Sequence, residues 1–142
     1  MKRILASAVA LAAMGVGSAA LAQDIKIGVL YPTSGGGAIY GGPAMVGHNL
    51  AVDEINAAGG INGRMLVTVA RDSKLNPAAA ASAAKEMVTK DGVDVLMGGL
   101  SSAVGLAISE VAKQEGVVYL ATIPKTIQMT TSKLHPHVFR TS

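Results

Sequence analysis

Ser101 and Ser102, placed directly after Gly98-Gly99-Leu100, are the residues of this chain best suited to hold an anion. A strand that ends in two glycines and passes straight into a helix leaves the first N–H groups of that helix unpaired at the positive end of its dipole, and serine hydroxyls add donors. The chemistry is capture of a carboxylate or phosphate, with Ser102 the best single contact. The alternative is that Ser101 or Ser102 merely caps the helix, which by itself accounts for a serine there. Tyr40, in a glycine-rich stretch from Thr33 to Gly42, is a second candidate, able to pack its ring on a ligand while its hydroxyl bonds to it. As a lone tyrosine it is equally a surface residue.

Other chemistries find little support. Gly35-x-Gly37 lacks the third glycine of a dinucleotide fingerprint, where Tyr40 stands, and no Gly-Lys-Ser/Thr follows as a phosphate-binding loop requires. No Gly-x-Ser-x-Gly elbow is present, so catalysis has no committed nucleophile. His135-Pro136-His137 is a weak metal pair with no carboxylate near it in sequence, and it reads better as a turn. Zero cysteines exclude disulfides, thiolate metal sites and a cysteine nucleophile, as well as a lipid-bearing cysteine anchor. No cluster of lysine and arginine points to nucleic acid.

The elements that would position these loops alternate along the chain as βα units. Ile25–Tyr31 reads as the first strand and Thr33–Gly42 as its loop. Pro43 suits a helix start, after which Ala44, Gly47, Ala51, Ile55 and Ala58 recur at helical spacing until Gly59-Gly60. Met65–Ala70 is the second strand. Asn76-Pro77 caps a helix carrying Ala80, Ala81, Ala84, Met87 and Val88, which Asp91-Gly92 ends. Val93–Met97 is the third strand, and Val104, Ala107, Ile108, Val111 and Ala112 mark a third helix closed by Gly116. Val117–Ala121 and a last strand around His137–Arg140 complete the set. Short apolar strands between helices predict an α/β doubly wound, mostly parallel sheet with helices on both faces. In such sheets ligands bind beyond the carboxyl ends of the strands. That rule selects Thr33–Gly42, Ser73–Asn76, Gly98–Ser102 and Thr122–Thr130.

The amino terminus has the layout of a secretory signal peptide. Lys2 and Arg3 precede an apolar run from Ile4 to Ala13, and small residues lead to Ala20-Leu21-Ala22, which predicts cleavage after Ala22. A membrane anchor is the alternative, weakened by Gly15, Gly17 and Ser18. Without Lys2 and Arg3 the 12 basic residues become ten against 9 acidic ones, so the formal charge of +3 owes much to the leader. Residues 23–142 are then one exported, freely diffusing domain.

Asp24-Ile25-Lys26-Ile27-Gly28-Val29, the run from Asp53-Glu54-Ile55-Asn56 through Ala57-Ala58-Gly59-Gly60 to Ile61-Asn62-Gly63, and Phe139-Arg140-Thr141 together resemble the leucine/isoleucine/valine-binding family of periplasmic receptors. The resemblance covers essentially all of residues 23–142. It implies a type I periplasmic binding fold of two α/β lobes on a hinge, in a chain more than twice this length, of which this sequence is the first lobe. It further implies a periplasmic solute-binding component of an ABC importer, with an inner-membrane permease as partner, no cofactor and no enzymatic activity. Its ligand would be a branched-chain or related amino acid. Receptors of the same fold for an amide, urea, aromatic or dicarboxylic acid, or a ligand-sensing domain, are the alternatives. By resemblance, Ser102 and Thr126 hold the ligand carboxylate, the Pro124 carbonyl takes its ammonium and Tyr40 lines the site. Lys125 departs from the small residue usual there and would favour a second carboxylate, unless it points to solvent; Ala103 removes a hydroxyl common in that turn.

Overall fold

The computed structural model describes residues 23–142, and the expected leader lies outside the described residues. Five strands, β1 (Ile25–Tyr31), β2 (Leu66–Asp72), β3 (Val95–Gly98), β4 (Val118–Ala121) and β5 (Val138–Arg140), form one wholly parallel sheet in the order β2-β1-β3-β4-β5. Three helices connect them: α1 (Ala38–Ala57), α2 (Pro77–Glu86) and α3 (Ser102–Glu115). The reversal of winding beside β1 puts α1 on one face and α2 with α3 on the other.

The α2/α3 face carries the main core. Register aligns Gly28, Leu96, Tyr119 and Val138 in one row across the sheet. Leu96, Tyr119, Met87, Ala84, Val104 and Ile108 are fully buried against one another on this side. Gly28 is a packing requirement: a Cβ there would stand 3.1–3.2 Å from Leu96, Met87 and Val93. The α2 terminus tightens its approach through a π turn over Met87–Asp91, closed by Gly92 in the left-handed region. Asn76 caps α2 through Ala79 N–H at 2.9 Å with Pro77 in the first turn, as the sequence predicts, and Gly116 ends α3 with φ +70°.

The doubly wound sheet with helices on both faces is as expected, but the opposite face is covered only in part. The next row, Val29, Met97, Leu120 and Phe139, and the row Ile27, Val95 and Val118 are apolar on this side too. Val29 is fully buried under α1, Met97 and Leu120 are half-buried, and Phe139 is 53% exposed. Among the described residues only α1 covers this face, over β1 and β2, and β3–β5 stay uncovered on it.

α1 itself is the poorest match to the sequence reading. It starts at Ala38, five residues before Pro43, after a 3₁₀ turn at Gly35–Gly37, so most of the expected loop is helical. Pro43 is tolerated because its ring faces solvent near the helix start, where only the Ile39 carbonyl loses a partner. The predicted stripe of Gly47, Ala51, Ile55 and Ala58 is exposed, and the buried line runs through Gly41 and His48 instead. Polar pairing replaces apolar periodicity there. His48 Nε2 meets Thr68 Oγ1 at 2.8 Å, and the Asn56 amide bonds both the N–H (2.8 Å) and the carbonyl (2.9 Å) of Leu66. Gly41 lets α1 pack directly on the chain leaving β1, since a Cβ there would lie 1.9 Å from the Pro32 carbonyl oxygen.

The Asp53–Gly63 motif is structural. It turns the chain into β2 at the amino ends of the strands, with Gly60 at φ +73° and Ile61 and Arg64 bridged. No described helix is long and apolar enough to cross a membrane.

Candidate functional site

At the carboxyl ends of the strands β3 and β4 deliver two segments side by side. Gly98 and Ala121 are register partners, and Thr122 N–H reaches the Gly98 carbonyl at 3.4 Å. Gly98 and Gly99 both take positive φ, +114° and +82°, which L side chains adopt at a strain cost. This turn lifts the chain off the sheet and starts α3 at Ser102. Ser101 is the N-cap, accepting Val104 N–H at 3.3 Å, so the capping alternative holds for Ser101. Ser102 occupies the first helical position and is exposed. The N–H groups of Ser102 and Ala103 have no carbonyl one turn back to meet, so they face outward at the positive end of the dipole.

The second segment, Thr122–Thr131, is fastened against the first by packing. Pro124 is buried, its ring wedged where Gly99 and Gly105 leave room: a Cβ on Gly99 would lie 2.9 Å from its Cγ, and one on Gly105 2.6 Å from its Cβ. The Tyr119 hydroxyl donates to the Gly98 carbonyl at 2.9 Å, and burial pushes its pKa far up. Tyr31 reaches across the glycine pair to Thr122, hydroxyl to hydroxyl at 2.7 Å. Thr126 caps a 3₁₀ turn at Ile127–Thr130 by accepting Gln128 N–H at 3.3 Å, which leaves its own hydroxyl proton free to donate.

Ser101, Ser102, Pro124 and Thr126 therefore lie on adjoining segments along one edge. The Pro124 carbonyl, expected to accept an ammonium, accepts the Ser142 hydroxyl at 2.8 Å through one of its two lone pairs. Lys125 is exposed on the same loop. Tyr40 is not in a loop: it lies in the first turn of α1 and is 60% exposed. In the Ser73–Asn76 loop Lys74, Leu75 and Asn76 are exposed, but its hydroxyl and amide groups are not turned toward this shelf as free donors. The Ser73 hydroxyl is enclosed and without a protein partner, and Asn76 is consumed by capping.

Three residues of this edge escaped sequence reasoning. Asp72, at the end of β2, accepts Thr33 N–H at 2.9 Å, Lys74 N–H at 2.8 Å and the Ser34 hydroxyl, and that hydroxyl above all holds its carboxyl below the usual range. It thereby pins the first loop to the edge. Arg140 and Ser142 fasten the Thr122–Thr131 segment from the β5 side. Only Arg140 had a signal, inside the Phe139-Arg140-Thr141 motif.

Ser109 and His135 form a buried pair, Oγ to Nε2 at 2.9 Å, which has the outline of a nucleophile and base. Its proton placement is wrong for that role. His137 N–H donates to His135 Nδ1 at 3.3 Å, so the neutral ring carries its proton on Nε2 and donates to Ser109. Ser109 is also only 3% exposed. The rings of His135 and His137 are 6.1 Å apart, and no group of three or more candidate metal ligands occurs among the described residues. The edge itself is a shelf of hydroxyl and backbone N–H donors.

Known proteins share both sequence and shape with this chain. The Leu/Ile/Val-binding protein homolog 7 of Brucella abortus is 38% identical over 112 residues, 79% of this chain and 28% of that protein. Homolog 8 from the same organism is 38% identical over 125 residues, 88% of this chain and 30% of its own length. Among solved structures, the branched-chain amino acid transporter substrate binding protein LivJ of Streptococcus pneumoniae, in complex with isoleucine, superposes with a TM-score of 0.77 at 35% identity, covering 82% of this chain and 33% of that one. The chain thus spans about a third or less of the length of these relatives. The sequence profile of the periplasmic binding proteins matches residues 24–142, and this chain belongs to the periplasmic binding protein family.

Proposed function

We propose that this chain is the first lobe of a periplasmic receptor that captures a branched-chain or related amino acid and delivers it to an ABC permease. One observation carries the reading. The open amino terminus of α3 at Ser102 adjoins the Thr126 loop on neighbouring strands, so two hydroxyl donors and two backbone N–H groups border one place fit for an α-carboxylate. The named relatives support the substrate class: LivJ is in complex with isoleucine, and the Brucella proteins are Leu/Ile/Val-binding homologues. The profile match to periplasmic binding proteins supports the location, and the sequence of residues 1–22 supports export. Binding is capture without chemistry, completed when a second lobe closes over the shelf and removes water.

The test is calorimetric titration of the full-length protein with leucine, isoleucine and valine, and with 4-hydroxybenzoate and a dicarboxylic acid as competitors. Branched aliphatic amino acids should bind, and Ser102→Ala should weaken them roughly 10-fold or more, the loss of one hydrogen bond to a charged group. Binding confined to ammonium-free acids, lost in Lys125→Ala, would keep the receptor and reassign its substrate. No binding of any of these would overturn the reading.

A further inference from the structure

The Arg140 side chain rises from the end of β5, in the same row as Gly98 and Ala121, and donates through Nη1 to two successive main-chain carbonyls of the ligand-edge loop. The acceptors are Lys125 at 3.2 Å and Thr126 at 2.7 Å, and Ser142 adds its hydroxyl to Pro124 at 2.8 Å. The carbonyls of 124, 125 and 126 are thus all held from one side. On the other side the Pro124 ring is trapped by Gly99 and Gly105 at the start of α3. The sheet alone does not fix this segment: β4 ends at Ala121 and the 3₁₀ turn begins at Ile127.

We infer that Arg140 is a positioning residue for ligand binding: by holding the carbonyls of Lys125 and Thr126 it orients the Thr126 hydroxyl so that it and the Ser102 helix terminus converge on one carboxylate. The inference rests on the reading of the shelf as an amino-acid site and gives it a determinant on the far strand. A guanidinium suits the task because it stays charged and offers several donors in a fixed plane, and charge-assisted bonds to carbonyls are the stronger kind. Arg140 is outside the candidate contact set and acts through the loop. Both bonds leave from the one nitrogen Nη1, so a lysine ammonium can replace them in part, without the rigid planar group that fixes their directions.

The experiment measures dissociation constants of leucine and of leucinol, which lacks the carboxylate, for the full-length protein and its Arg140→Met and Arg140→Lys variants, with melting temperatures of the unliganded forms. Arg140→Met should weaken leucine roughly 10-fold or more while leucinol changes less than about 2-fold, and Arg140→Lys should recover part of the loss. A purely structural arginine would weaken both ligands together, and that result, or unchanged leucine binding in Arg140→Met, overturns the inference. Should Arg140→Met fail to fold, the same leucine-to-leucinol comparison in Arg140→Lys decides, equal loss for both ligands being the refuting outcome. Wild-type protein that binds no leucine removes the amino-acid reading and this inference together, an outcome distinct from the variant results.

Discussion

Replacing Gly105 by alanine sets two opposed effects of known size against each other. Gly105 is a buried residue inside α3, where alanine is favoured over glycine by about 1 kcal/mol on helix propensity alone. The new methyl, however, would stand 2.6 Å from Pro124 Cβ, 2.7 Å from its Cγ and 3.0 Å from Met129 Cε, where ordinary contact begins at 3.4 Å. Met129 can swing its terminal methyl aside, but a proline ring has no rotamer to escape into. The loop must therefore retreat by about 0.8 Å, and overpacking of this kind costs about 1–3 kcal/mol. Net destabilisation of about 0–2 kcal/mol follows, and Thr126 moves with Pro124, so leucine affinity should fall roughly 10-fold through lost alignment at the carboxylate. Gly47→Ala is the internal control: its Cβ meets nothing within 4 Å on the exposed side of α1, so it should gain about 1 kcal/mol and leave binding alone. Urea unfolding and calorimetric titration of both variants make the comparison. Gly105→Ala as stable as Gly47→Ala, with unchanged leucine affinity, would refute the wedge.

Two further outcomes are expected. His48 and His135 are held below the ordinary imidazole value, by burial first in both cases, while the unfolded chain's histidines titrate near about 6.5. The unfolded state then takes up protons that the native state refuses, so their contribution is complete at neutral pH and drains away as pH falls through about 6.5 toward the depressed native values. Thermal melts should show a lower melting temperature at about pH 5.5 than at about pH 7.5, with a smaller drop in His135→Asn; equal melting temperatures in wild type would contradict this. The bare apolar rows on β3–β5 should make residues 23–142, prepared alone, self-associate with rising concentration, and Leu120→Lys should reverse it. Sedimentation velocity reads this directly, and a monomer at every concentration would show the face to be harmless.

The sequence carried the strands, α2, α3 and their caps because each rests on local chemistry. Asn76-Pro77 is a cap and first turn wherever it occurs, and Gly92 and Gly116 stop helices by their own backbone freedom. α1 was misread because its inward line depends on partners far along the chain. His48 is buried for the sake of Thr68, and Asn56 for the main chain of Leu66, so the apolar residues that remain point outward and the periodicity rule selects the wrong face. Pro43 misled in the same way, marking a helix start by its type when Gly35–Gly37 and Gly41 had already begun the helix.

The ligand edge divides along the same line. The place of Ser102 at the start of α3 was legible because a helix amino terminus after a glycine turn is a local feature, and Ser101 proved to be the cap that local logic also allowed. What holds Thr126 at the right distance from Ser102 is not local at all. Pro124 needs Gly99 and Gly105, far before it in the chain and brought to it because β3 and β4 pair in parallel, and Arg140 needs the short strand β5 beside β4. Change in the glycine pair, Gly105 or Arg140 should shift the whole loop, whereas change in Ser102 or Thr126 removes one hydroxyl and leaves the backbone in place. On the proposed reading, substrate choice should vary with residues such as Lys125 that project from the loop, while the geometry of the carboxylate seat should depend on residues outside the contact set.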